Sequence, residues 1–132
     1  MSLRWMEGGS RPYTKVLIAN RGEIACRIIR ACRELGLKSV AIHAANDRES
    51  LFVEMADQAV ELKGGSLAET YLNIKQILEI AENTQAGAIH PGFGFLSERS
   101  DFANAVQSAG LVWIGPSAQA IESMGDKMTA RR

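Results

Sequence analysis

The chain has 132 residues, with 15 Lys and Arg against 15 Asp and Glu, so its formal net charge is zero. That length is one domain's worth and is enough to bury a core without disulfide or metal staples. The balanced charge excludes a global basic field of the kind that gathers nucleic acid or anionic lipid. No run of about 18 apolar residues occurs, so no membrane-spanning segment is expected.

Residues 1–14 (MSLRWMEGGSRPYT) lack the apolar stretch of a signal peptide and read as a flexible leader or tag. Lys15–Ala19 (KVLIA) is a short apolar run of the kind a buried parallel strand shows. Asn20 follows, with Glu23 three residues later, a pattern that predicts a capping box at the start of a helix running to about Leu35. Gly36 suits the position just past its end. On that helix Ile24, Ile28, Ala31 and Leu35 form a stripe expected to face a sheet. Cys26 and Cys32 lie about 9 Å apart along the axis and face different ways, so they cannot pair and read as small buried hydrophobes.

Ser39–Ala44 predicts a second strand, Asn46–Met55 a short helix, and Gln58–Leu62 a third strand. Asn73–Asn83 predicts a helix capped by Asn73, with Ile74, Ile77, Leu78 and Ala81 at helical spacing. Gly87–His90 predicts a strand ended by Pro91. Ser97–Ala109 predicts a helix, Leu111–Ile114 a last strand and Ser117–Met124 a short helix. Strands alternating with helices of this length imply an α/β fold, a parallel sheet with helices on both faces.

In such sheets ligands gather beyond the carboxyl ends of the strands. Two loops qualify. Asn20-Arg21-Gly22-Glu23 carries one glycine instead of G-x-G-x-x-G, and Glu23 places negative charge where a pyrophosphate would sit, so dinucleotide binding there is disfavoured. His90–Glu98 (HPGFGFLSE) has glycines that let a ligand approach the backbone, and Phe93 or Phe95 could cover a flat ring; the competing reading is a turn with two core aromatics. His43 and His90 read as structural histidines, and no metal site built by this chain is expected. Glu23, Arg27, Arg30 and Glu34 fall on one stripe of the first helix, either a solvated ion-paired face or an interface pairing Arg with Glu across a two-fold axis.

Together, IANRGEIACRI, YLNI, AIHPGFGFLSE, IGP and MGDK, in this order and spacing, resemble the N-terminal domain of biotin carboxylases over roughly Lys15 to Ala130. The resemblance implies a Rossmann-like pre-ATP-grasp domain spanning 15–132, truncated at Ala130-Arg131-Arg132 before an ATP-grasp domain. It implies that the parent enzyme is an ATP-dependent ligase that uses ATP with Mg (or Mn) and bicarbonate to carboxylate biotin on a carrier protein. It implies a biotin carboxyl carrier protein or domain, a carboxyltransferase component and a second copy of the enzyme as partners, and a cytoplasmic location, or the mitochondrial matrix for a eukaryotic source. Lys127 matches the MGDK lysine that contacts ATP. Phe93 and Gly94 match a loop bordering the biotin pocket, where many members have tyrosine at position 93. Arg27, Arg30 and Glu34 match a dimer-interface helix face. The chain alone is expected to be inactive and to bind neither cofactor tightly. The alternatives are an autonomous Rossmann-like nucleotide-binding module, or an interaction or dimerisation domain.

Overall fold

In the computed structural model, residues 13–121 are described. Five strands form one wholly parallel sheet: β1 (Lys15–Ile18), β2 (Lys38–His43), β3 (Gln58–Glu61), β4 (Ala88–His90) and β5 (Val112–Trp113), in the order β3-β2-β1-β4-β5. The register aligns Leu17 with Val40 on one side and with Ile89 on the other. Each of these residues is completely buried, which explains why the central strands are apolar along their length rather than alternating.

Successive side chains of β1 point to opposite faces, and each face has its own core. Val16 and Ile18 pack with Ala25, Ile29 and Cys32 of α1 (Gly22–Glu34) and with Phe52 of α2 (Leu51–Met55). Leu17 packs on the other face with Ile77 and Ala81 of α3 (Ile74–Thr84) and with Phe102 and Val106 of α4 (Ser100–Ser108). There the Phe102 ring meets Trp113 edge-on, with centroids 5.4 Å apart. Helices therefore cover both faces, as the strand–helix alternation implies. The folded unit already includes Tyr13, which is buried, and Thr14, whose carbonyl accepts a hydrogen bond from the Lys38 amide.

Asn73 caps α3 as its sequence predicts, accepting from the Gln76 amide at 3.1 Å. Asn20 does not cap α1. The N-cap residue is Arg21, no side chain caps it, and Glu23 lies instead beside Arg27 and Arg30. Local pattern matching misplaces Asn20 because its amide is claimed by a loop 71 residues away in sequence. The sheet-facing side of α1 is also rotated from the expected stripe: Ala25, Cys26, Ile28, Ile29 and Cys32 are buried, whereas Ala31 is exposed and Ile24 and Leu35 are half-buried. The small side chains at 25, 26 and 32 are buried together with Ile28 and Ile29, while Ile24 and Leu35 are left at the rim. The helix α4 starts at Ser100 rather than Ser97, because Ser97 is held in the preceding turn by its amide donating to the Gly94 carbonyl. Residues 118–121 are helical, Ser117 lies just before them with its Oγ accepting from the Ala120 amide, and 122–124 of the expected last helix lie outside the described residues.

Candidate functional site: the crevice between the first and fourth strands

The strand order reverses direction between β1 and β4, so their following loops diverge and leave a crevice at the carboxyl edge of the sheet. One wall is Asn20 and Arg21, the other Pro91–Arg99. Asn20 is 1% exposed and ties the two together. Its Nδ2 donates to the Pro91 carbonyl at 2.8 Å and to the Phe93 carbonyl at 2.7 Å, while its Oδ1 accepts from the Arg21 amide at 2.8 Å. Below, the Ala19 amide donates to the His90 carbonyl and continues the sheet ladder into the loops.

The second loop needs unusual backbone. Gly92 and Gly94 have φ of 67° and 70°, and Phe95 has φ of 50°, a region that costs a side-chain-bearing residue about 1–2 kcal/mol. A Cβ on Gly92 would stand 2.7 Å from Asn20 Nδ2, so both conformation and space demand glycine there. A Cβ on Gly94 would meet nothing within 4 Å, so that backbone is open to an approaching ligand. His90 Nδ1 accepts from the Gly92 amide at 3.1 Å, which requires the unprotonated nitrogen; burial of the ring pushes its pKa down and favours that form.

A charged network adjoins the first wall. Arg21 meets Asp47 through two bonds, and the Tyr71 hydroxyl donates to Asp47 Oδ2 at 2.6 Å while accepting from the Ala44 amide at 3.0 Å. The hydrogen bond from Arg21 holds the Asp47 carboxyl below the usual carboxylate range despite its burial. Burial, with Asp47 adding, pushes the Tyr71 phenol up to about 12, so it stays a donor. The Tyr71 ring packs on Phe95 at a centroid distance of 5.5 Å. A cleft of about 410 Å³ opens here, lined in part by Arg21, Asn46, Asp47, Ser66, Tyr71 and Phe95.

Of the residues singled out in the sequence, Phe93 and Gly94 are both exposed on the glycine loop. Phe93 is 76% exposed, so it is not a core aromatic, whereas Phe95 is half-buried against Tyr71. Arg27, Arg30 and Glu34 share the exposed side of α1; Glu23 stands 3.9 Å from Arg27 and 3.5 Å from Arg30. An apolar groove of about 350 Å³, lined in part by Arg27, Ile28, Ala31, Leu35 and Phe93, runs from that helix to the glycine loop. Lys127 lies outside the described residues. The Arg21–Asp47–Tyr71 network has no signal in the sequence: its bonded pairs lie 26 and 24 residues apart, at no spacing that a helix or strand would mark. Both cysteines are buried and unpaired. Among the described residues no group of three His, Cys, Asp or Glu is placed to hold a metal ion, and no helix is long and apolar enough to cross a membrane.

A parallel sheet in this order, with helices on both faces, defines a Rossmann-like α/β domain. Within that class, residues 12–121 match the family described as "Biotin carboxylase, N-terminal domain", and the chain belongs to it. It is 56% identical over 92% of its length to the biotin-dependent acyl-coenzyme A carboxylase alpha3 subunit of Mycobacterium leprae, covering 20% of that protein. It is 50% identical over 89% of its length to the biotin carboxylase of Pseudomonas aeruginosa, covering 26% of it. Among solved structures, it superposes on the complete multifunctional pyruvate carboxylase from Rhizobium etli with a TM-score of 0.85 at 41% identity, covering 92% of this chain and 12% of that one. It matches the biotin carboxylase domain of a thermophilic 2-oxoglutarate carboxylase bound to bicarbonate with a TM-score of 0.84 at 47% identity, covering 90% and 27%. The chain thus spans about a fifth to a quarter of these two curated relatives.

Proposed function

We propose that this chain forms one wall of the active site of a biotin carboxylase, an ATP-dependent ligase that carboxylates biotin on a carrier protein with MgATP (or MnATP) and bicarbonate. The observation that carries this reading is the 92–95 loop. It projects an exposed apolar ring, Phe93, beside a backbone position, Gly94, with open space above it, at the switch point of the sheet. Such a surface fits the planar ureido ring of biotin, whose uncharged face takes apolar contact and close backbone approach. When bound, biotin supplies the ureido nitrogen that accepts the carboxyl group. The chain's own part is to orient that ring and to shield one side from water. With phenylalanine at 93, it does so without a hydroxyl hydrogen bond from that position.

Lys127 contacts ATP in this proposal. Transferring phosphoryl charge needs metal ions and several aligned cations. The resemblance assigns one lysine of this stretch to that work, so the 132 residues alone turn nothing over and hold neither ATP nor biotin tightly. The carrier protein or domain and the carboxyltransferase component are the partners of the parent enzyme, which works in the cytoplasm, or in the mitochondrial matrix of a eukaryote. Arg27, Arg30 and Glu34 belong to its homodimer interface. Support comes from the mixed signs on this exposed stripe and from the apolar groove beside it, which a second copy would cover.

The test compares the 132 residues with the polypeptide that carries them. ATP hydrolysis by the longer chain should rise with biotin and bicarbonate, and the short chain should show no saturable heat on calorimetric titration with MgATP or free biotin. Biotin-dependent hydrolysis by the 132 residues alone would overturn the proposal of an incomplete wall, and clear ATP binding would favour a self-sufficient nucleotide module.

A further inference from the structure

Resting on the reading of the 92–95 loop as the biotin-side wall, we infer that Asn20 and Arg21 are positioning residues for it, each holding a different half. Asn20 holds the first half directly. Both of its amide hydrogens are committed, one to the Pro91 carbonyl and one to the Phe93 carbonyl, and these flank Gly92. Its oxygen is committed to the Arg21 amide, so this buried side chain has one orientation and no spare donor. Arg21 holds the second half at a distance. Its guanidinium fixes Asp47, Asp47 fixes the Tyr71 hydroxyl, and the Tyr71 ring supports Phe95 in its left-handed backbone conformation.

A loop with left-handed residues at 92, 94 and 95 does not keep one shape unaided; such backbone persists where its surroundings over-determine it. Here two consecutive residues of another loop supply that constraint. Glycines give the 92–95 segment its access to ligand, and the clamp removes the freedom that those glycines would otherwise leave. The expected consequence is selective. Phe93 and Gly94 stay where a biotin ring meets them, while groups elsewhere that handle nucleotide are unaffected.

The test is made in the full polypeptide that carries this chain. Asn20→Asp keeps the side chain's shape but turns an oxygen toward the Pro91 and Phe93 carbonyls in place of the two-proton donor. Amide hydrogen exchange across 92–97 should speed up by about tenfold, and the KM for free biotin in biotin-dependent ATP hydrolysis should rise by about tenfold, with the KM for ATP unchanged. Arg21→Gln, at a half-exposed side chain, is the second variant and should speed exchange at 94–97 with a smaller rise in biotin KM. Unchanged loop exchange in either folded variant overturns its half of the clamp. Faster exchange with an unmoved biotin KM, or an equal rise in the KM for ATP, overturns the positioning role. Absence of biotin-dependent hydrolysis in the unsubstituted polypeptide is a separate result, which sinks the biotin carboxylase reading itself.

Discussion

The Arg21 guanidinium meets the Asp47 carboxylate side-on, with Nε 2.7 Å from Oδ2 and Nη2 2.6 Å from Oδ1. The two ends differ in environment: the Arg21 side chain is 47% exposed, the Asp47 side chain 7%. Losing one partner therefore has unequal effects. Arg21→Leu leaves a buried carboxylate with only the Tyr71 hydroxyl and should cost about 3 kcal/mol. Asp47→Asn leaves an arginine that reaches water and keeps an acceptor for Tyr71, so about 1–2 kcal/mol is expected. Urea unfolding of the two variants gives the order; a larger loss for Asp47→Asn would contradict it.

The same pair sets a pH dependence. The folded-state pKa of Asp47 lies below its unfolded value, so its contribution is fully present above the ordinary carboxylate range and is lost as pH falls from about 4 through the folded value. In Arg21→Leu this acid-limb contribution should shrink, which unfolding curves taken between neutral pH and acid would show.

Gly92 and Gly94 share a positive φ but not a surrounding. Gly94→Ala should incur only the left-handed backbone cost of about 1–2 kcal/mol, since no heavy atom stands within 4 Å of the new Cβ. Gly92→Ala adds a clash with Asn20 and with Ile24 Cγ2 at 2.8 Å and should be clearly worse. Thermal unfolding distinguishes them, and equal losses would mean that Asn20 yields freely.

Both thiols of α1 should resist alkylation in the folded chain. Burial, with Asp57 adding, pushes the Cys32 thiol up to about 11, and burial with Glu23 nearby raises Cys26 as well. Maleimide at pH 8 should label neither quickly and both after denaturation, read by mass spectrometry. Rapid labelling of the native chain would show that α1 lifts off the sheet.

The exposed stripe on α1 is tested by Arg30→Glu. If the stripe forms the proposed homodimer interface, the substitution in the full polypeptide should lower the concentration-dependent mass seen by sedimentation, because like charges would then face each other across the two-fold axis. An unaltered mass would leave Arg27, Arg30 and Glu34 as a solvated face.

By itself the sequence determined the class of fold. Short apolar runs at Lys15–Ala19, Ser39–Ala44 and Gly87–His90, separated by helical periodicity, admit little besides a parallel sheet covered on both faces, and buried parallel strands must be apolar along their length. The cap at Asn73 was legible because donor and acceptor sit three residues apart. The two glycines of the 92–95 loop were legible as points of unusual backbone freedom, and Gly92 and Gly94 both take positive φ. The tertiary structure alone decided what Asn20 does, which side of α1 meets the sheet, and that Arg21, Asp47 and Tyr71 form one network. Asn20 reads as a helix cap on local spacing, yet its amide bonds to carbonyls brought beside it by the pairing of β1 with β4. Periodicity reports which residues share a face but not how closely two elements approach. Contacts between residues far apart in the chain leave no periodic trace in it, because strand order, not spacing, sets which loops become neighbours.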